Sequence, residues 1–287
     1  MKADRHFAKF LRALLLPAFT AWLASASLAY AQEQPATSPS PSQQAPPEEI
    51  TAVPNRPTFA STAEVVQPGV LEIEYGFEGG DGHQNINGLV KFGLFRWLEF
   101  RVANNPVLRD GGVFGTGDSG AGFKLRLTPQ KNRRPTISLL YAAALPTANH
   151  DLGVQAAGHS IQLLVSKDFG KHHFDVNEGI QFVGRLGPGA SGFDRNYFTA
   201  LSWSHPLRGK WGVTGELAGY SRTNAATPAT MTILFAPTYN VSPRLVLDAG
   251  AYVAAYGNLP RVTVFFGVTY SIVDLYRHRH SAGARAP

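Results

Sequence analysis

The sequence predicts an all-β fold, an antiparallel up-and-down transmembrane β-barrel of about twelve strands. Three observations support this prediction. Apolar and polar residues alternate with period two along most of the chain, and long connections between the alternating segments take turns with short ones. In addition, the chain begins with the features of an export signal. In the stretch AGFKLRLTPQ, Phe123, Leu125 and Leu127 share one side of an extended chain, and Lys124 and Arg126 share the other.

The first part of the chain, residues 1–31, has the features of a secretory signal peptide. Basic residues precede an apolar run over residues 13–23, and Ala29 and Ala31 form a small-x-small cleavage site. The run of about eleven apolar residues is shorter than the roughly 20 that a spanning helix needs. We therefore predict export and cleavage, which lowers the formal net charge from +6 to about +3.

Composition excludes several classes of function. The chain has no cysteine, which rules out a disulfide framework and thiolate chemistry. Its remaining positive charge is spread along the sequence without a basic stripe interleaved with aromatic residues, so we predict no nucleic-acid partner.

The segment 32–57 is rich in Pro, Gln and Ser and has few large apolar residues, so we predict a disordered periplasmic arm. Such an arm could also contact the cell wall or a partner. The barrel is predicted over residues 58–276, followed by a basic C-terminal tail at 277–287.

Alternating segments, separated by clusters of Gly, Pro, Asn and Asp, predict the individual strands. They cover residues 70–77, 85–94, 97–103, 121–127, 136–145, 160–166, 174–186, 195–204, 211–221, 231–240, 245–255 and 261–271.

If these segments are numbered in order, the connection after each odd-numbered segment is long or rich in glycine. The connection after each even-numbered segment is mostly shorter. Long outer loops, short periplasmic turns and an even number of strands produce this pattern, with both termini on the periplasmic side. A soluble β-sandwich or lipocalin-like barrel also alternates, but aromatic residues near the strand ends suit the two girdles of a membrane barrel. These aromatic residues are Tyr75, Phe77, Phe95, Trp97, Phe169, Phe174, Trp203, Trp211, Tyr239 and Tyr270.

In a membrane barrel the polar faces of the strands line the lumen. The predicted lumen-lining residues are Glu72, Glu74, Lys91, Glu99, Arg101, Lys124, Arg126, Asp175, Asn177, Gln181, Arg185, Glu216, Asp248 and Arg261. Their charges nearly balance, which argues against strong ion selectivity. They could line a narrow wet passage, or pair across neighbouring strands and fill the interior, and a width of about twelve strands does not decide between the two.

The longest outer loop, NNPVLRDGGVFGTGD, contains Val107, Leu108, Val113 and Phe114 among many glycines. Apolar residues are unusual in a solvated loop. The loop could fold inward as a plug, form an apolar entrance for a hydrophobic solute, or pack on itself.

The sequence gives only weak evidence for catalytic or metal-binding groups. His159 and Ser160 are adjacent on a strand and point to opposite faces, so they cannot act as base and nucleophile. His150 with Asp151 is the other candidate pair. The pair His172–His173 and the sequence RHRH at residues 277–280 lack further ligands at suitable spacing. We predict no enzymatic activity, no metal and no cofactor.

Six stretches of the chain carry a resemblance to known proteins. They are RPTFASTAEVVQPGVLEIEYGFE, LVKFGLFRWLEFRV, GDSGAGFKLRL, ALPTANHDLG, SWSHPLRGKWGVTGELAGY and NVSPRLVLDAGAYVA. These stretches resemble a family of outer-membrane barrels named after the meta-cleavage pathway of phenol degradation. The resemblance covers residues 56–272 and implies the barrel fold and a transport role, without any family-wide catalytic or binding residue. Outer-membrane barrels usually end on an aromatic residue that serves as the assembly signal, whereas here VDLYRHRHSAGARAP follows the last strand.

These observations predict an outer-membrane barrel for passive passage of small solutes, with hydrophobic or aromatic solutes as the finer expectation. The alternative is a non-conducting structural or adhesive barrel with a filled, charge-paired lumen, and a lipid hydrolase is a weaker third. The predicted partners are outer-membrane lipid, a small-molecule solute and the barrel-assembly machinery.

Overall fold

The computed structural model of the protein describes residues 49–149, 152–185 and 189–276. The predicted signal peptide, most of the predicted arm, the basic tail and the pair His150 and Asp151 lie outside the described residues. Among the described residues no helix is both long and apolar enough to cross a membrane.

The predicted strands are present, and most extend further than the alternation indicated. The strands are β1 (Val70–Gly80), β2 (His83–Phe95), β3 (Leu98–Asp110), β4 (Val113–Gly115), β5 (Ser119–Thr128), β6 (Thr136–Leu145), β7 (Gly158–Phe169), β8 (His172–Gly184), β9 (Phe193–Pro206), β10 (Trp211–Tyr220), β11 (Thr230–Ser242), β12 (Leu245–Tyr256) and β13 (Val262–Asp274).

All strand pairs are antiparallel, and the sheet closes on itself. Each long strand pairs with the next long strand along the chain, and β1 pairs with β13, with Gly76 opposite Gly267. The short strand β4 pairs only with the outer end of β3. Twelve strands therefore form the wall, and the predicted antiparallel barrel is confirmed.

The two ends of the barrel differ in their connections. At the end where β1 begins and β13 ends, here called the termini end, strands are joined by turns as short as residues 96–97 and 170–171. At the opposite end, here called the outer end after the predicted orientation, connections run up to residues 146–157. The outer connection between β1 and β2 is tighter than predicted, because Gly82 adopts a positive φ of 70° and closes a two-residue turn.

Most charged side chains of the strands point into the barrel, and most large apolar ones point out. Glu72, Lys91 and Lys124 have no exposed surface, whereas Phe235 and Phe266 are 63% and 60% exposed. This arrangement is the inverse of that in a soluble protein and leaves an apolar outer surface suited to contact with lipid. The exposed apolar belt favours the membrane barrel over the soluble alternative.

Candidate functional site

The lumen contains a part of the chain that precedes the barrel. Residues 50–68, here called the lumen segment, run along the inner wall before the chain enters β1. Residues 50–57 were expected to belong to a disordered arm, but the structure gives them defined partners. The segment cannot form a core of its own; instead its backbone N–H and C=O groups bond to polar side chains of the wall.

The first part of the lumen segment binds carboxylates of β1. The Val53 N–H donates to Glu72 at 2.9 Å, and the Asn55 N–H donates to Glu74 at 3.0 Å. Lys91 on β2 lies between these two carboxylates, 2.6 Å from Glu72 and in contact with Glu74, and donates to the Val53 carbonyl at 2.5 Å. These three acceptors match the three N–H groups of the ammonium.

Arg56 occupies a pocket that the wall shapes for it. Its guanidinium bonds to both oxygens of Asp248 on β12 at 3.2 Å and to Asn87 on β2 at 2.7 Å. Gly76 and Gly267, directly opposite each other on β1 and β13, lie beneath the guanidinium, and a Cβ at either position would come within 2.2 Å of it. Only glycine leaves this room.

The middle of the lumen segment, residues 57–63, binds strands β6 to β10. The N–H groups of Phe59 and Ala60 donate to the two oxygens of Glu216 on β10, at 2.8 and 2.6 Å. The Asn177 side chain on β8 bonds to both the N–H and the carbonyl of Ser61, at 2.7 and 2.9 Å.

Two serines hold the end of this middle part. Ser166 on β7 accepts from the Ala63 N–H at 2.6 Å, and Ser138 on β6 donates to the Ala63 carbonyl at 2.5 Å. Ser166 in turn donates to Asp175 on β8 at 2.5 Å.

The last part of the lumen segment returns to charged partners. Lys124 on β5 donates to the Glu64 carbonyl at 2.7 Å, and Arg126 donates to the Glu64 carboxylate at 2.9 Å. The Val66 N–H donates to Glu99 on β3 at 2.9 Å. Along its length the segment therefore meets strands on nearly all sides of the barrel.

A ladder of opposite charges crosses strands β1, β2, β3 and β5 beneath the segment. Glu72 is paired with Lys91 in the sheet register, and Glu99 is paired with Lys124. Arg101 lies 3.4 Å from Glu99, and Lys124 lies 3.8 Å from it. Because all of these groups are buried, each needs its partners to stay charged in the lumen.

Most predicted lumen residues do lie in the interior. The buried ones are Glu72, Glu74, Lys91, Glu99, Arg101, Lys124, Asp175, Asn177, Glu216 and Asp248, and Arg126 and Gln181 are half-buried on the same inner face. The prediction is wrong for Arg185 and Arg261. Both are exposed at the outer end, one residue beyond β8 and one before β13, where strand alternation no longer applies. Arg185 pairs with Asp194 at 2.7 Å.

Two cavities border the lumen segment. The outer cavity, of about 280 Å³, is lined by apolar and aromatic side chains, among them Phe59, Leu89, Tyr252 and Phe265, and by charged ones, Arg56, Glu74, Glu78 and Arg101. The inner cavity, of about 360 Å³, lies nearer the termini end and is lined by polar residues such as His173 and Ser204 and by apolar ones such as Val53 and Val246. Arg56, Pro57 and Thr58 line both cavities, so this stretch of the segment lies between them.

The predicted outer loop is a β-hairpin and does not enter the lumen. Val107 and Leu108 belong to β3, where Val107 pairs with Ile86 of β2. Val113 and Phe114 belong to β4, and the Phe114 side chain is 66% exposed. The element inside the barrel is the lumen segment, which sequence analysis missed because its composition predicts no packing.

The weak catalytic and metal candidates are also placed by the structure. His159 packs against Phe182 and Phe193 on the outer surface, with ring centres 5.0 and 4.8 Å apart, and Ser160 lies on the inner face. His173 bonds to Asp168 and Asp175. Within the described part of the chain, no group of three or more His, Cys, Asp or Glu side chains is arranged to hold a metal ion.

Comparisons with known proteins agree with this architecture. No family model and no curated protein matches the chain. Among solved structures, the NanC porin aligns with a TM-score of 0.55 at 10% identity, over 70% of this chain and 100% of that one. An outer-membrane channel from Pseudomonas putida F1 aligns with a TM-score of 0.57 at 13% identity, over 72% of this chain and 97% of that one. The KdgM porin aligns with a TM-score of 0.51 at 10% identity, over 70% of this chain and 99% of that one.

At these identities the likeness shows the fold alone. The chain therefore has the antiparallel barrel fold seen in outer-membrane porins and channels. The narrower resemblance to the phenol-pathway family stays a prediction.

Proposed function

We propose that the protein is an outer-membrane barrel that lets small solutes pass without energy input, and that residues 57–63 form the movable part of its constriction. The observation that carries this proposal is the lumen segment. A twelve-stranded wall encloses more space than the eight-stranded barrels whose own side chains fill the interior. Here the space is occupied by a peptide attached through hydrogen bonds, and such an occupant can be displaced without unfolding the wall.

The two ends of the lumen segment are held differently from its middle. Charged groups bind residues 53–56 and 64–66, and in the middle the Glu216 carboxylate binds residues 59–60, whereas residues 61–63 are held by Asn177, Ser138 and Ser166. Neutral hydrogen bonds each contribute about 1 kcal/mol net. Arg56 donates its N–H to Glu74 and Phe59 donates its N–H to Glu216, with Pro57 and Thr58 between them. Pro57 has no N–H to donate, and the Thr58 hydroxyl bonds to the carbonyl groups of Asn55 and Ala60 in the segment itself. Displacement would therefore begin in the middle, next to both cavities.

The aromatic wall of the outer cavity supports small apolar or aromatic solutes as the class that passes, although Glu74, Glu78, Arg56 and Arg101 line the same cavity. Phe59 and Tyr252 lie edge to face at 5.2 Å, and Tyr252 stacks near Phe265 at 6.3 Å. Val113 and Phe114, exposed at the outer end, remain the proposed entrance. The proposal includes an outer-membrane location with both termini in the periplasm, assembly by the barrel-assembly machinery, and no cofactor or enzymatic step.

One observation favours the second candidate, a non-conducting barrel. Lys91 makes two ion pairs and one hydrogen bond, and buried ion pairs of this kind fix one arrangement of the interior. If the middle of the segment were held as firmly, the barrel would be a closed structural or adhesive protein.

A crosslink between the segment and the wall distinguishes the two candidates. Ala60 and Ala218 belong to one buried cluster, and the chain has no cysteine of its own. The mature protein carrying Ala60→Cys and Ala218→Cys is reconstituted in a planar bilayer, and disulfide formation is checked by thiol titration. We expect low conductance when oxidised and a several-fold higher open probability after reduction. Ala60→Cys alone serves as the control and should not respond to reductant.

A second variant opens the constriction without a crosslink. Glu216→Ala with Asn177→Ala removes the acceptors of Phe59, Ala60 and Ser61 and should raise conductance and the uptake of neutral aromatic solutes. Folding is checked by the heat-dependent shift of mobility on a gel. A folded variant that stays silent, together with a crosslinked pair that reductant does not change, would replace the passage proposal with the closed barrel.

A further inference from the structure

The short turns at the termini end share one sign of charge. These connections are residues 96–97, 129–135, 170–171, 207–210 and 243–244. Every one of them contains Lys or Arg, and none contains Asp or Glu. The residues, here called the basic rim, are Arg96, Lys131, Arg133, Arg134, Lys171, Arg208, Lys210 and Arg244.

The outer end of the barrel lacks this bias. Its connections contain three acidic residues, Asp81, Asp118 and Asp151, and three basic ones, Arg185, Arg222 and Arg261. Nearly all residues of the basic rim are exposed, and Arg244 is half-buried. The asymmetry therefore belongs to one end of the barrel and is presented to its surroundings.

Exposed aromatic residues lie at the same level as the basic rim. Phe95 and Trp97 flank Arg96 and stack on each other at 5.2 Å, with about half of each side chain exposed, 52% and 50%. Phe169 immediately precedes the turn with Lys171, and Trp211 follows the turn with Lys210. Exposed aromatic rings at strand ends mark the boundary between hydrocarbon and headgroups, so the rim lies at headgroup level.

We infer that the basic rim binds the headgroups of anionic phospholipids in the leaflet at the termini end, the periplasmic leaflet in the orientation proposed above. Phosphodiester groups are the anions available at that level, and clustered Lys and Arg next to a membrane attract acidic lipid. Because the charges are spread over all five turns, they form a ring around the barrel and would gather an annulus of anionic lipid. The inference rests on the proposed membrane location and does not depend on solute passage.

Tryptophan fluorescence tests the inference because the tryptophans outside the predicted signal peptide lie at the same end of the barrel as the basic rim. Trp97, Trp203 and Trp211 all lie at the termini end, and the remaining tryptophan, Trp22, is in the predicted signal peptide. The mature protein is folded into phosphatidylcholine vesicles that contain the same fraction of brominated phosphatidylglycerol or brominated phosphatidylcholine. We expect stronger quenching by the brominated anionic lipid, corresponding to about a threefold or greater preference at low salt that weakens as salt is raised.

Matched charge removals assign the preference to the rim. The rim variant carries Arg133→Gln, Lys171→Gln and Arg208→Gln, and the control carries Arg185→Gln, Arg222→Gln and Arg261→Gln at the outer end. Both lose three positive charges. The preference for brominated phosphatidylglycerol over brominated phosphatidylcholine should fall toward a ratio of one in the rim variant and persist in the control. Equal quenching by the two lipids with the unmodified protein, or an equal loss in both variants, would overturn the inference. Conductance is recorded in parallel, so that failure of the passage proposal is seen separately.

Discussion

The two sides of the lumen hold the same segment with different chemistry. Strands β1, β2, β3 and β5 present buried charges, with Glu72, Lys91, Glu99 and Lys124 fully enclosed. Strands β6 to β9 bind the segment through hydroxyl and amide groups such as Ser138, and the buried carboxylate of Asp175 bonds to Ser166 behind them. A buried ion that loses its partner destabilises a protein by about 3–5 kcal/mol, while a neutral hydrogen bond contributes about 1 kcal/mol. The comparison indicates that the charged side fixes where the segment lies and the hydroxyl side lets its middle move.

The strongest test of this comparison removes the cation at the centre of the charged side. Lys91→Met leaves Glu72 and Glu74 buried without a counter-charge, and we expect the free energy of unfolding to fall by about 3–5 kcal/mol. Urea titration of the protein in phospholipid vesicles, followed by tryptophan fluorescence, measures the change. Arg109→Met at the exposed outer end of β3 is the control, with an expected change within about 0.5 kcal/mol.

A partial rescue makes that prediction sharper. Adding Glu72→Gln and Glu74→Gln to Lys91→Met removes the unpaired charges and should restore part of the loss. If the single variant unfolds like the native protein, the charged ladder does not hold this side of the lumen.

The next largest effect concerns the pocket of Arg56. Gly267→Ala places a methyl group within 2.2 Å of the guanidinium, so Arg56 must leave Asp248, and we expect a loss of about 1–3 kcal/mol together with higher conductance. Gly215→Ala on the outer face is the matched control, since its nearest neighbours would be 3.8 Å away. Similar behaviour of the two variants, by urea titration and bilayer recording, would show that Arg56 does not anchor the segment.

The alternation along the chain predicted the wall because strand period and burial are local properties. It placed the inward carboxylates correctly up to the strand ends and failed at Arg185 and Arg261, where the strands stop. The lumen segment could not be predicted in the same way, since its partners are up to 192 residues away, as for Arg56 and Asp248. One signal was present in the sequence: the segment that precedes β1 contains Arg56 and Glu64, which complement inward charges on the wall.

The smallest expected effects lie on the hydroxyl side, and they decide whether the two sides differ. Ser138→Ala removes one bond to Ala63 and should lower the free energy of unfolding by about 1 kcal/mol in the same urea titration. Ser166→Ala removes bonds to both Ala63 and Asp175 and should lower it by about 2 kcal/mol. Ser160→Ala, on the same inner face of β7 but nearer the outer end, should change it by less than about 0.5 kcal/mol. Losses as large as that of Lys91→Met would mean that the middle of the segment is held as firmly as its ends. Losses of about 1–2 kcal/mol would leave residues 57–63 as the part of the interior that thermal motion can displace, next to both cavities.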